Sequence, residues 1–233
     1  MNRVLSIVIP VFNEEKNLLS LYNTWVGCFD QLHIPYRFIF VNDGSSDGSL
    51  QLLEELADAN ENINIYSHAN QGHGPSIIRG YKAAADAEWI LQMDADNPYD
   101  TDAFKMMWEQ KEQYDFLVGS RYNNSAHFSR RLISLASVIT VAILCGKFFK
   151  DVNTPYRLMR ARDVGRALRL IPENSFAPNI MLTMFYIKHR HKIFTTALRY
   201  KANMIVKKSR MNSYFAGGAL QSFFQLLQFR FRI

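Results

Sequence analysis

Two cysteines in 233 residues, Cys28 and Cys145, are too few for a disulfide framework or a cysteine-ligated zinc cluster. The opening residues, MNRVLSIVIP, lack the long apolar core and small-residue cleavage site of a secretory leader, so a reducing, cytoplasmic address is expected. A Walker-type G-x-x-x-x-G-K-[ST] loop is absent. Gly72-His73-Gly74 lacks the third glycine of a dinucleotide fingerprint and follows the third strand rather than the first, which excludes a pyrophosphate loop there. Repeats, low-complexity tracts and linkers are also missing, so residues 1–233 are expected to form one domain. The most informative absence is of acid. Residues 1–173 hold 17 Lys+Arg and all 21 Asp+Glu, whereas residues 174–233 hold 10 Lys+Arg and none. Such a tail suits an anionic neighbour: a membrane surface, nucleic acid or a phosphate-bearing substrate.

What is present begins with alternation. Leu5–Val11, Arg37–Val41, Ile63–Ser67, Trp89–Met93 and Phe116–Val118 read as strands, and residues 15–28, 47–59, 75–87 and 101–113 as helices between them. Near-continuously apolar strands alternating with helices predict an α/β fold, a Rossmann-like, mostly parallel sheet covered by helices on both faces. Ligands of such sheets lie at the carboxyl ends of the strands. The polar clusters fall there: Asn13-Glu14-Glu15, Asn42 to Asp47, Asn70 to Gly74, Asp94 to Asn97, and Gly119 to Tyr122.

Beyond Arg131 the pattern changes. Leu132–Gly146 is an uncharged run of fifteen residues, short of the roughly 20 needed to span a bilayer, so it reads as a core helix or a helix lying in the membrane interface. Residues 151–162 read as a loop and strand, 163–170 and 176–189 as helices, and 193–206 as extended. In the uncharged stretch Met211–Phe229, Gln221, Gln225 and Gln228, with Arg232 beyond it, repeat at helical spacing against Leu220, Phe223, Phe224, Leu227 and Phe231. That pattern predicts an amphipathic C-terminal helix whose apolar face docks on the domain, on a second copy, or on a membrane.

Several rim residues carry chemistry. Asp94 and Asp96, spaced i and i+2 at a strand end, can both turn into one pocket and offer the hard oxygens that suit Mg²⁺ or Mn²⁺. Capping of the following helix by Asp96 or Asn97 is the alternative. Asp43 is placed to accept a hydrogen bond from a ligand such as a nucleobase N–H, while Asp47 suits a helix cap. Asn13 and Glu14 end the first strand in the same way, and Glu15 suits a first-turn acid. His73 reads equally as a loop residue or a catalyst.

The assembled string is specific. LSIVIPVFNEEKNL, IFVNDGSSDGS, HANQGHGPSIIRGYKAAADAEWILQMDADNPYD and FLVGSRY, in that order through the first 122 residues, resemble the family 2 glycosyltransferases. The resemblance implies the glycosyltransferase A fold, with residues 1–122 as the nucleotide-sugar-binding half and 123–233 as the acceptor side. It also implies inverting transfer from a nucleoside-diphosphate sugar with Mg²⁺ or Mn²⁺. On that basis Pro10, Asn13 and Glu14 would lie along the nucleoside, and Asp43 would recognise the base. Gly72 and Arg79 would shape the donor pocket, Asp94 would reach the nucleoside or sugar, and Asp96 would hold the metal against the diphosphate. Arg121 would add a bidentate phosphate contact.

DVNTPYRLM, from Asp151, resembles the D-x-x-S-G-F-R-L segment of dolichol-phosphate-mannose-synthase-like members, with Thr-Pro in place of Ser-Gly. It makes Asp151 a candidate acceptor-side carboxylate or general base, or else a group that orients another or contacts the metal, or a turn residue. Lys207, Arg210 and Ser213 are similar to the subgroup's R-x-x-G-x-x-S acceptor loop and read as a phosphate grip or a solvated basic face. The expected partners are a nucleoside-diphosphate sugar, a polyprenyl phosphate and the inner face of the membrane. A lipid-linked glycan or other cell-surface acceptor is the alternative, and a nucleotidyltransferase a more remote one. Nucleic acid is not expected, because Phe194, Tyr200 and Tyr214 are too sparse for base stacking.

Overall fold

The computed structural model describes residues 4–96, 101–121, 128–198 and 213–233. Strands β1 (Leu5–Val11), β2 (Tyr36–Asp43), β3 (Ile63–His68), β4 (Trp89–Gln92) and β5 (Phe116–Arg121) alternate with helices α1 (Glu15–Gln31), α2 (Ser49–Ala59), α3 (His73–Ala83) and α4 (Thr101–Gln110). Then follow α5 (Phe128–Cys145), β6 (Arg157–Arg160), α6 (Ala161–Leu168), α7 (Pro178–Lys188), β7 (Ile193–Leu198) and α8 (Ser213–Arg230). The seven strands form one sheet in the order β3-β2-β1-β4-β6-β5-β7.

All neighbouring pairs are parallel except those made by β6, which runs antiparallel to both β4 and β5. The reason is local. The chain returns at Asp151 to the carboxyl rim, beside Arg121 at the end of β5, so the next strand must start where its neighbours finish. The mostly parallel sheet thus gains an inverted strand, and β6 carries the 151–156 loop into the rim.

Period-two alternation sends β1 side chains to opposite faces. Leu5, Ile7, Ile9 and Val11 join Trp25, Phe29, Phe38, Phe40 and Phe104 in one core, whereas Val8 joins Ile39, Ile77, Tyr81, Met159, Met181 and Tyr186 in the other. Trp25, Phe29 and Phe104 pack edge-on and tilted, with ring centroids 5.3–5.7 Å apart, under α1 and α4. Burying each such ring contributes about 1.5–3 kcal/mol, enough to fix which face of the sheet these helices cover. From Pro178 to Ile187, α7 is buried on every side, as an all-round apolar helix must be.

The sequence leaves the readings of two helices open. α5 is half core and half surface: Val138 and Val141 are buried, while Leu135, Ile139 and Ile143 are exposed. α8 is amphipathic. Ser222, Leu226 and Phe229 face the domain, and Gln225 Oε1 accepts a hydrogen bond from the Phe176 amide at 3.2 Å. Phe223, Phe224 and Phe231 look outward, so of the three surfaces open to this face the domain itself is not the one it meets. Arg230 Nε caps α5 through the Leu144 carbonyl at 2.6 Å, anchoring α8 beside α5.

Candidate active site

The rim is assembled by hydrogen bonds between loops that are distant in sequence. Asn13, at φ 56°, adopts the left-handed conformation that Asn tolerates. Its amide donates to Ser45 Oγ at 3.0 Å, and its Oδ1 accepts from the Ser46 amide at 2.8 Å. Glu14 donates its amide to Ser49 Oγ at 2.8 Å, and Glu15 Oε2 accepts from the Gly48 amide at 3.0 Å. Asp47 Oδ1 accepts from the Ser49 amide at 3.0 Å, satisfying an orphan donor of the first turn of α2. These contacts latch the β1–α1 turn to the β2–α2 turn. Pro10 is buried within β1, opposite Val41.

Asp43 is buried at the end of β2. Its Oδ1 accepts from the Gln71 amide at 2.7 Å and its Oδ2 from the Gly72 amide at 3.0 Å, with His68 Nδ1 3.5 Å from Oδ1. Its carboxylate therefore shapes the 70–74 loop. Gly72 sits at φ 96°, a conformation that a side chain resists. A Cβ on Gly74 would lie 2.0 Å from the Ser175 carbonyl, so the start of α3 packs directly on the 172–177 loop.

That packing brings His73 to the centre of the rim, with Nε2 3.6 Å from Asp94 Oδ1. Asp94 Oδ1 is buried and accepts no hydrogen bond. An orphaned carboxylate oxygen of this kind is uncommon and calls for a cation or a hydroxyl donor. Asp96 follows two residues on and is exposed. The donor set of Asp94 and Asp96 therefore fits a hard divalent cation such as Mg²⁺ or Mn²⁺. Asn97 lies outside the described residues.

Across the sheet, Arg121 and Asp151 form a bidentate pair. Arg121 Nε donates to Asp151 Oδ2 at 2.9 Å, Nη2 to Oδ1 at 3.1 Å, and the Arg121 amide to Oδ2 at 3.2 Å. The Asp151 loop is held in turn by Thr154, whose hydroxyl donates to the Gly119 carbonyl at 2.6 Å. Fully buried Arg157 donates to the carbonyls of Thr154 and Asn179, both at 3.0 Å. Burial draws the Arg157 guanidinium below its ordinary pKa, against the pull of Tyr81 and Asp151. Tyr81 donates to Gln92 Oε1 at 2.6 Å, and burial pushes its hydroxyl far above the usual phenol range.

The structure thus gathers Asn13, Glu14, Asp43, Gly72, Asp94, Asp96, Arg121 and Asp151 on one rim. Arg79 is exposed on α3, in the field of Glu173. Lys207 and Arg210 lie outside the described residues, and Ser213 opens α8. His73, left undecided by the sequence, and Arg157, not singled out there, join the site. An arginine inside the apolar run YRLM was the available signal for the second.

Solved structures share this architecture. S. aureus TarS in complex with UDP-GlcNAc superposes with a TM-score of 0.64 at 17% identity, covering 96% of this chain and 66% of that one. Glucosyl-3-phosphoglycerate synthase from Mycobacterium tuberculosis, in complex with Mn²⁺, UDP and phosphoglyceric acid, gives 0.66 at 14% identity, covering 98% and 78%. These likenesses establish the glycosyltransferase A fold. The profile described as Glycosyl transferase family 2 matches residues 6–168, and the chain belongs to that family. The undecaprenyl-phosphate 4-deoxy-4-formamido-L-arabinose transferase of Proteus mirabilis is 30% identical over 182 residues, 76% of this chain and 55% of that protein. Its namesake in Pseudomonas fluorescens strain SBW25 is 28% identical over 192 residues, 81% and 55%. The chain spans just over half the length of these relatives.

Proposed function

We propose that the domain transfers a sugar, with inversion, from a nucleoside diphosphate to a polyprenyl phosphate at the cytoplasmic face of a membrane. The observation that carries this reading is the buried, unsatisfied Oδ1 of Asp94, two residues from Asp96 and beside His73. Asn13, Glu14 and Asp43 order the turns along which the nucleoside would lie. Asp94 and Asp96 would hold Mg²⁺ or Mn²⁺, which when bound neutralises charge on the departing diphosphate.

Arg121 and Asp151 supply the acceptor side. The two Asp151 oxygens already accept three N–H groups from Arg121, which ties the carboxylate to that side chain. It holds the guanidinium through Nε and Nη2, with Nη2 also 3.4 Å from the Asn153 carbonyl, and so would keep the Arg121 charge at the acceptor side for a phosphate. A phosphate nucleophile arrives ionised and requires no base, whereas a sugar hydroxyl does. The names of the relatives support the same acceptor class. Among the described residues, no helix is long and apolar enough to cross a membrane. Outward-facing Ile139, Ile143, Phe148, Phe224 and Phe231, set among Lys147, Lys150 and Arg232, suit peripheral attachment to an anionic bilayer.

The test of the acceptor is competition. With a panel of nucleotide sugars, label should enter a short polyprenyl phosphate and not the corresponding polyprenol or a lipid-linked glycan. Preferential labelling of either hydroxyl acceptor overturns the phosphate reading.

A further inference from the structure

A second group of ligand-type side chains lies at the opposite edge of the sheet. Asp115 immediately precedes β5, His191 lies two residues before β7, and Asp163 sits in the first turn of α6 after β6. β5 and β7 are parallel and β6 is antiparallel to β5, so all three residues fall at the end of the strands away from the rim. At about 3.3 Å per residue, β5 alone separates Asp115 from Arg121 by about 20 Å. One ligand atom from each of the three residues lies within 4.8 Å of the other two.

The buried member is unsatisfied. The Asp163 side chain is 1% exposed, and its Oδ2 accepts no hydrogen bond. Arg166 Nη1 reaches only Oδ1, at 3.3 Å, and Arg162 Nε stands 3.7 Å from Oδ2. Both arginines are about two-thirds exposed and free to swing toward solvent. His191 Nδ1 lies 3.4 Å from Asp115 Oδ2, which also accepts the Lys192 amide at 3.0 Å. The imidazole is held in place by Phe185 and by Tyr186, whose ring meets it edge-on at 5.0 Å. Tyr186 also carries a buried hydroxyl without a hydrogen-bond partner.

We propose that Asp115, Asp163 and His191 form a binding site for a zinc-class divalent cation, distinct from the Asp94–Asp96 site, that clasps β5, β7 and α6 together. An imidazole with two carboxylates is a donor set for a borderline metal, whereas Mg²⁺ prefers an all-oxygen octahedron. Metal–ligand bonds of about 2.0–2.1 Å place tetrahedral ligands about 3.4 Å apart, the separation between His191 Nδ1 and Asp115 Oδ2. A carboxylate oxygen of Asp163 supplies the third ligand from the buried side. The partial exposure of Asp115 and His191 leaves the fourth position open to water.

The full chain, stripped of metal, is titrated with ZnCl₂ by calorimetry and with Co²⁺ by visible absorption. The D94N/D96N variant silences the rim. One equivalent of Zn²⁺ should still bind to D94N/D96N, raise its melting temperature, and give tetrahedral Co²⁺ bands. Adding His191→Gln or Asp163→Asn should weaken binding by more than the about 10–100-fold that loss of an outer-shell partner costs. Should Asp163→Asn fail to fold, Asp115→Asn at the more exposed position serves in its place. Absence of a one-equivalent site in D94N/D96N, or binding unchanged in His191→Gln, overturns the proposal.

Discussion

Replacing Asp151 by Asn keeps the shape of the side chain but removes the charge that holds Arg121. The pair has three hydrogen bonds between 2.9 and 3.2 Å, and its side chains are 30% and 11% exposed. Exposed pairs contribute about 0.2–1 kcal/mol and breaking a fully buried one costs about 3–5, so this half-buried pair falls near 1.4–2.7 kcal/mol, or about 10–100-fold in rate. The assay is sugar transfer to polyprenyl phosphate by wild type, D151N, R121A and the double variant. If Asp151 acts only through Arg121, the double variant is no slower than R121A, and D151N keeps the shape of the wild-type pH–rate profile. Independent, multiplicative losses, or a D151N profile that loses its ascending limb, would refute the reasoning and restore Asp151 as a base.

Other outcomes follow from the same geometry. Gly72→Ala meets no atom within 4 Å but must hold φ 96°, costing about 1–2 kcal/mol; calorimetry should show a lower melting temperature and weaker nucleotide binding, since the Asp43 contact to the Gly72 amide loosens with it. Cys28 and Cys145 are both pushed above the ordinary thiol range by burial, against Lys105 for the first and Lys188 and Arg230 for the second. Their thiolate fraction at neutral pH is therefore low, and mass spectrometry should find iodoacetamide labelling slow until the protein is unfolded. Ile143 and Phe224 are 76% and 56% exposed, so Ile143→Glu and Phe224→Glu should change stability by no more than about 0.5 kcal/mol. Each should reduce partition to anionic vesicles about 10-fold or more; unchanged partition would place the membrane contact elsewhere.

Much of this was legible in the sequence, for reasons that also mark where legibility stopped. The apolar runs of β1, β2, β4 and β5 and their polar carboxyl ends announce an α/β rim, because a doubly covered strand must be largely apolar and its exit must be polar, whereas β3, at the sheet edge, is half-exposed. β6 was the difficult case. Four residues, RLMR, begin and end with arginine, yet Arg157 is fully buried on carbonyl partners that the 154 loop and the first turn of α7 supply. The inward turn of α8 was hidden because Gln225, polar by composition, finds the Phe176 amide 49 residues away. The sequence marks Arg121 and Asp151 each as functional, but their pairing, 30 residues apart, belongs to the fold alone. His73 could not be decided until α3 placed it beside Asp94.

The proposed reaction is metal-dependent transfer from a nucleotide sugar at the Asp94–Asp96 rim. Its most direct test follows labelled sugar into a short polyprenyl phosphate with Mn²⁺ or Mg²⁺, comparing wild type with Asp96→Asn of equal melting temperature. Wild type should give product that disappears with EDTA and in Asp96→Asn. Transfer undiminished by either would contradict this reading.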